Sequence, residues 1–540
     1  MLRRRFVQLL VNGLPFAALA TRWRPGIAAS PYAFRHGIAS GDPLADGFII
    51  WTRISGANGE SVDVDWQVAA DAGMQTVLQS GRFETDARRD YTVKVDVRGL
   101  PSGTPFCYRF VVDGVPSPVG CSRTLPVGEI SSARFAVVSC ASYPTGYFHV
   151  YREIAERRDL DAVIHLGDYL YEYGIGEYAT EYAEELGRMP EPSTETISLA
   201  DYRLRHAQYK TDPDLQALHA QHPLIAVWDD HEIANDCWRG GGENHDRGEG
   251  RWARRRNAAI QAYFEWMPIR GKARGKRTEI FRQFRYGDLL SLIMLDTRVH
   301  GRDKQPQISP DMPNDEIYRL LADPGRRLLG RRQERWLQEA LARSEGTVWQ
   351  LVGQQVLVSP VRAPDLEPLL NPDGESIVSR EILEENIAMS KNNPPLLLDT
   401  WDGYAAARES LLADLKDLAS NAVVISGDLH TSIAADLHLQ GDAEAAAVEF
   451  MTTSVTSPGF ADYLPERHPG AVRDATLQLN PNLRYMETDR RGWLCLTLTT
   501  SECTGEWHLL DDVRSRTYTS SIDRRLSVRA GQVSKGLYPG

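Results

Sequence analysis

The stretch Asp161-Ala-Val-Ile-His-Leu-Gly-Asp-Tyr-Leu-Tyr171 constrains this chain more than any other. A short apolar run ends in Gly167, and then an acid, Asp168, and two phenols, Tyr169 and Tyr171, arrive together. Such a run reads as a buried strand ending at the C-terminal edge of an open α/β sheet, the edge where that architecture binds its ligands. Two more runs end in the same way: Val227-Trp-Asp229-Asp230-His231-Glu232 and Val424-Ile-Ser-Gly427-Asp428-Leu-His430. Three strand ends offering Asp, His and Tyr predict one metal centre assembled from distant sequence.

The surrounding pattern predicts the scaffold. From Arg134 onward, apolar runs at Phe135–Ser139, Ala162–Leu166, Leu224–Trp228, Leu289–Leu295, Val348–Val352 and Ala422–Ile425 alternate with helical spacing at Phe148–Arg157, Leu199–Ala220, Arg251–Trp266, Gly330–Arg343 and Tyr404–Leu418. Further strands follow near Ile433–Leu439, Val448–Thr452 and Trp493–Leu498. This is an α/β chain with two packed sheets flanked by helices, over residues 128–510. Residues 30–127 carry short alternating runs between Gly, Pro and Asp turns, which fits a small immunoglobulin-like all-β domain. Residues 172–198, 236–250, 301–323 and 361–401 are long irregular stretches, expected to form the rim of the site. Residues 511–540, with Arg514, Arg516, Arg524 and Arg525, read as a solvated basic tail or a lid.

At the other end, Arg3-Arg4-Arg5-Phe6 precedes an apolar run from Leu9 to Ala20 that closes in Ala18-Leu19-Ala20. Residues 1–29 therefore resemble a twin-arginine export signal, with the export machinery as partner and a periplasmic or secreted destination. A retained basic anchor is the alternative. Asn12, Gly13 and Pro15 interrupt this run, and no later stretch is long and apolar enough for a stable membrane span. The net charge of −12, without a basic stripe, argues against a nucleic-acid partner. In an oxidising compartment Cys107/Cys121 and Cys495/Cys503 are candidate disulfides.

The strand-end residues divide by hardness. Cys140, Tyr171, His430 and Asp168 form a mixed S/N/O set suited to a strongly acidic ion, Fe3+ ahead of Zn2+. Asp230, Asp428 and Asn235, with Asp168 bridging, form an all-oxygen set suited to Ca2+, Mg2+ or Mn2+. Two ions sharing a carboxylate, about 3.5–4 Å apart, suit an in-line displacement.

In their order along the chain, Ser139-Cys140, Gly167-Asp168-x-x-Tyr171, Trp228-Asp229-Asp230-His231-Glu232 and Gly427-Asp428-Leu-His430 resemble the PhoD-type alkaline phosphatases. These are a branch of the calcineurin-like metallophosphoesterases, and the Gly-Asp-x-x-Tyr motif is similar to that of purple acid phosphatases. Gly37-Ile-Ala-Ser-Gly-Asp42, Trp51-Thr-Arg53, Arg205-His-Ala-Gln-Tyr-Lys210, Leu295-Asp-Thr-Arg298 and Gly353-Gln-Gln355 extend the likeness over nearly the whole chain. The resemblance implies a phosphoesterase in which a metal-bound hydroxide attacks phosphorus, with a preference for alkaline pH. Asp168 would bridge Fe3+ and Ca2+, Cys140 and Tyr171 would bind iron, Asp230 the second ion, and His231 would contact phosphate. Asp428 stands where the wider superfamily has a histidine, which favours calcium over zinc. Arg152 and Arg298 are candidate phosphate contacts. The expected substrates are small or polymeric phosphate esters, and a phospholipase D-like phosphodiesterase is the alternative activity. A surface protein holding structural calcium, the non-enzymatic alternative, conflicts with Cys140, Tyr171 and His430, since calcium takes oxygen ligands. A non-haem iron oxygenase expects two His and one carboxylate, a poor match to this set.

Overall fold

A computed structural model describes residues 30–271, 279–371, 373–374, 376–391 and 393–540; the export-signal reading of 1–29 lies outside them. Two sheets carry the fold. The larger has ten strands, and at its centre Ser132–Val138, Ala162–His165 and Pro223–Ala226 run parallel. The smaller has seven strands, and Leu290–Met294, Trp349–Gly353, Ala422–Ser426 and Ala445–Met451 form its parallel centre. These central strands are buried on both faces, which is why they read as unbroken apolar runs. One continuous core holds the sheets face to face, with Phe135 edge-on to Tyr286 at 5.0 Å and Trp507 tilted against Phe450 at 5.9 Å. Trp507 Nε1 donates to Met451 O at 2.9 Å, so this indole loses no hydrogen bond on burial across the layer. Helices His149–Glu156, Trp252–Trp266, Gly330–Arg343 and Ala405–Leu418 flank the sheets, close to their expected limits. The expected helix 199–220 is two, Leu199–Tyr209 and Pro213–Gln221, because Pro213 stops the first and Asp212 caps the second.

Two expectations about organisation are corrected. The β sandwich exists, with its own core of Phe48, Ile50, Val64, Val93, Phe106 and Tyr108. However, one of its layers, Ile38–Leu44, Gly47–Arg53 and Thr92–Arg98, belongs to the ten-stranded sheet, where Ser40 pairs in parallel with Pro223. Gly41 permits this junction: a Cβ there would lie 2.4 Å from Pro268 O and 2.5 Å from Leu224 O. The chain end is neither a solvated tail nor a lid. Ser520–Arg529 pairs with Glu502–Leu510 and buries Leu526 and Val528, while its arginines are exposed. Residues 511–519 pack on the loop before helix His149–Glu156, where Tyr147 N donates to Val513 O at 2.7 Å. No helix among the described residues is long and apolar enough to cross a membrane.

Candidate metal centre

The parallel strands of both sheets deliver their following residues to one place. Cys140 follows Ser132–Val138, Asp168 follows Ala162–His165, and Asp229–Glu232 follow Pro223–Ala226. From the facing sheet, Asp296–Arg298 follow Leu290–Met294, Gln354–Gln355 follow Trp349–Gly353, and Asp428–His430 follow Ala422–Ser426. Two glycines let these ends approach. A Cβ on Gly167, at φ +117°, would lie 2.5 Å from Asp229 N, and one on Gly427 would lie 2.5 Å from Ser139 Oγ. Cys140, Asp168, Asp428 and His430 adopt left-handed backbone, with φ of 62°, 52°, 71° and 53°. Such conformations cost energy in a non-glycine residue and gather where a site over-determines them.

Cys140, Asp168 and His430 bring donor atoms within 4.8 Å of one another. Tyr171 joins them: its hydroxyl stands 3.1 Å from Asp168 Oδ2 and 3.0 Å from His430 Nε2, and it accepts from Ser457 Oγ at 2.7 Å. His430 Nδ1 donates to Pro458 O at 2.7 Å. That bond fixes the tautomer and leaves the Nε2 lone pair facing the group. Burial holds His430 at about 3, so the imidazole is neutral. Asp168 also groups with Asp230 and His231, and Asp230 in turn groups with Asp229 and Asp428 and with Asp236 and Asp399. Asp168 is thus the acid common to the soft and the hard sets, and its Oδ1 is buried without a protein partner.

The electrostatics leave most of these buried acids holding their protons. Burial, and then repulsion from Asp229, Asp230 and Glu232, pushes Asp168 well above the carboxylate range despite His231 nearby. Asp428 rises likewise through burial and Asp229, and Asp236 is pushed up to about 8 by burial and Asp399. Burial and then Asp168 raise both the Cys140 thiol and the Tyr171 phenol. Ligands of this kind shed their protons when an ion binds, so the donor chemistry fits the two sets of cations inferred from hardness. Burial opposes ionisation of Asp230 too, yet Arg298 and His231 outweigh it and hold it at about 2.

Sequence models of known families place the chain. That of "PhoD-like phosphatase" matches residues 135–507, and that of "PhoD-like phosphatase, N-terminal domain" matches 19–126. This chain belongs to the PhoD-like phosphatase family. Alkaline phosphatase D of Bacillus subtilis (strain 168) is 33% identical over 496 residues, which span 89% of this chain and 78% of that one. A solved structure of PhoD is similar at a TM-score of 0.80 and 31% identity, over 96% of this chain and 93% of that one. The chain is therefore a phosphoric ester hydrolase, and the non-enzymatic and oxygenase alternatives are set aside.

Within this PhoD-like fold the residues singled out in the sequence fall into three groups. Cys140, Asp168, Tyr171, Asp230, His231, Asp428 and His430 converge. Arg298 reaches the same place but has no free face for phosphate. Its guanidinium, wholly buried, donates to Asp229 and Asp399 and to Asp428 at 2.8 Å, with Asp230 at 3.6 Å. Arg152 does not converge: helix His149–Glu156 carries it to the surface, where it forms a two-pronged pair with Asp214 at 2.9 and 3.0 Å. Asn235 lies beside the site, its backbone N donating to Glu172 at 2.6 Å and its Nδ2 to Glu243 at 3.2 Å. The acids grouped with Asp230 from the loops are Asp236 and Asp399.

Those two acids were not singled out in the sequence, nor were Glu172 and Glu232. Glu172 accepts from His231 Nδ1 at 2.8 Å and from Asn244 at 2.9 Å, fully buried. Glu232 accepts from the amides of Tyr169 and Asp229, both at 2.7 Å, and of Asp168 at 3.1 Å, which ties two strand ends together. An acid inside Tyr169-Leu-Tyr-Glu172-Tyr173 was a legible signal; Asp236 and Asp399, in long loops, left none.

Proposed function

We propose that this chain is an exported, metal-dependent phosphoesterase acting on phosphate mono- or diesters, with Fe3+ and Ca2+ as its ions. The observation that carries this reading is Asp168, whose Oδ1 is buried without a partner while its carboxylate belongs to both donor groups. Cys140, Tyr171, His430 and Asp168 are the residues that would hold iron, with zinc as the alternative. Asp168, Asp230 and Asp428, with Asn235 as the least secure candidate, would hold calcium, magnesium or manganese; Asp236 and Asp399, whose carboxylates group with Asp230, are further candidates for that role. Bound there, the ions would lower the pKa of water and neutralise charge on the phosphoryl oxygens.

The chain's own groups supply the rest. Glu172 accepts a hydrogen bond from His231 Nδ1–H, which leaves Nε2 to act on the substrate. Burial opposes a charge on that imidazole, but Glu172, Asp230 and Asp168 outweigh it and hold His231 protonated well above its usual range. It can then stabilise a phosphoryl oxygen and give its proton to the leaving oxygen. Arg298 orders Asp229, Asp399 and Asp428 from three segments, a positioning task rather than a phosphate contact. Tyr171, Tyr173 and Tyr178 pack round the His231 ring at 4.2–6.3 Å and keep water from its faces.

The test is elemental analysis and a visible spectrum of protein exported in folded form, with p-nitrophenyl phosphate and bis(p-nitrophenyl) phosphate as substrates. Iron bound by a phenolate gives a charge-transfer band that disappears in Tyr171→Phe. A colourless protein carrying two zinc ions overturns the iron assignment, and hydrolysis of neither ester at full metal content overturns the phosphoesterase reading. Replacing Arg3 and Arg4 by lysine should retain the protein in the cytoplasm if the export reading is right.

A further inference from the structure

Cys107 and Cys121 lie outside the metal centre, and the register of their strands decides how they meet. In the five-stranded sheet Gly120–Arg123 pairs antiparallel with Pro105–Val112, and Cys107 stands directly opposite Cys121. The hydrogen bonds along this pair fix the class of each rung. Thr124 N donates to Thr104 O at 3.1 Å, so the Thr104–Thr124 rung is a bonded one. Rungs alternate in an antiparallel pair, which makes Phe106–Ser122 a bonded rung and Cys107–Cys121 a non-bonded one. Pro105, which has no N–H to give, falls on the same non-bonded parity.

Non-bonded partners hold their Cα atoms about 4.5 Å apart with side chains turned toward each other. That separation is inside the range a disulfide spans, about 4.4–6.8 Å. Both thiols are half-buried and free in this structure. The other cysteine pair has no such geometry: Cys503 opposes Leu498, and Cys495 opposes Glu506, further along the same hairpin.

We infer that Cys107 and Cys121 form a cross-strand disulfide when the folded protein meets a thiol-oxidising environment. Each thiol gives up a proton and the pair gives up two electrons to an oxidant of the disulfide class, which leaves as two thiols. The bond closes residues 108–120 into a loop and fastens Gly120–Arg123, the last strand before the chain returns to the large sheet at Ser132–Val138, to the sandwich layer. The same strand already contacts that sheet, since Ser40 Oγ donates to Cys121 O at 3.3 Å and Arg123 pairs with Asp161, the residue before strand Ala162–His165. The disulfide thus rivets the joint between the β sandwich and the sheet that carries Asp168.

The experiment uses the full chain, purified without reductant and equilibrated with oxidised glutathione, then unfolded, alkylated and mapped by mass spectrometry before and after reduction. The expected result is one linked species joining the Cys107 and Cys121 peptides, with the other four cysteines alkylated. Mild reduction should lower the melting midpoint of the wild type by several degrees and leave that of Cys107→Ser/Cys121→Ser unchanged, with phosphoesterase activity retained in both. Quantitative alkylation of both thiols after oxidant treatment overturns the inference, as does a linkage of either one to a different cysteine. The mapping on wild-type protein decides the matter even where the serine variants fold poorly.

Discussion

His231 owes its charge to a carboxylate fifty-nine positions upstream in sequence, Glu172, at 2.8 Å. Burial alone would strip the imidazole of its proton; Glu172, Asp230 and Asp168 reverse that. The sign follows: a raised pKa keeps the proton through neutrality and loses it as pH climbs through the raised value. His231→Asn should lower kcat by about 10²–10⁴-fold, the usual worth of a general acid. Glu172→Gln keeps the shape but removes the charge, so the alkaline fall in kcat should move toward lower pH. A uniformly lower kcat with an unmoved pH profile would give Glu172 a purely structural role. Arg298 teaches the complementary lesson. A buried guanidinium with carboxylates on every side is occupied, however close it stands to the chemistry.

Strand ends converge here only because two positions lack side chains. The obstacles they avoid differ in kind, and the difference is testable. At Gly427 a Cβ would meet the Ser139 side chain, Oγ at 2.5 Å and Cβ at 2.8 Å. At Gly167 it would meet Asp229 Cβ at 2.4 Å and the Asp229 backbone N at 2.5 Å, and φ of +117° strains any L side chain regardless of space. Gly427→Ala should therefore lose metal and activity, and Ser139→Gly added to it should restore much of both. Gly167→Ala should not be restored by any side-chain change opposite. Equal rescue of the two, read by metal content and kcat, would refute this account. Ser139 is adjacent to Cys140, so the rescued enzyme also reports how far that serine shapes the thiol, whose Sγ stands 3.1 Å from Ser139 Oγ.

Across the whole molecule, the donor groups straddle two sheets. Cys140, Asp168 and Asp230 come from the ten-stranded sheet, Asp428 and His430 from the seven-stranded one. Ions held between them would fasten the layers and offset the burial and the carboxylate repulsion that push Asp168 and Asp428 up. Stripping the ions with a chelator should lower the melting midpoint; each site contributes about 4 kcal/mol at a thousandfold excess of free ion over Kd. Readdition should restore the midpoint, and Asp428→Asn should shrink the chelator effect. An unchanged midpoint on chelation would mean that no ion bridges the sheets.

Much of this was legible without coordinates. Apolar runs that end in Gly-Asp mark buried parallel strands, the donor types at their ends, thiol, phenol, imidazole and carboxylate, point to a metal centre, and the order of these motifs carries the resemblance to PhoD-type phosphatases. Periodicity placed the flanking helices because a half-buried helix must repeat its apolar side every turn. Periodicity also carried the tail wrongly: Ser520–Arg529 exposes most of its residues near the end of its sheet, so too few apolar positions repeat to betray it. Folding alone assigned the arginines, since Arg152 and Arg298 look alike in sequence and differ only in which carboxylates surround them. It gave Glu172 and Glu232 their partners, found Asp236 and Asp399, and fused the sandwich to the large sheet through Ser40 and Pro223. The type of a side chain, with the strand end it follows, is local information, and the sequence carries it. Whether a charge is paired, buried or free depends on residues a hundred positions away, and that becomes physical fact only when the sheets close.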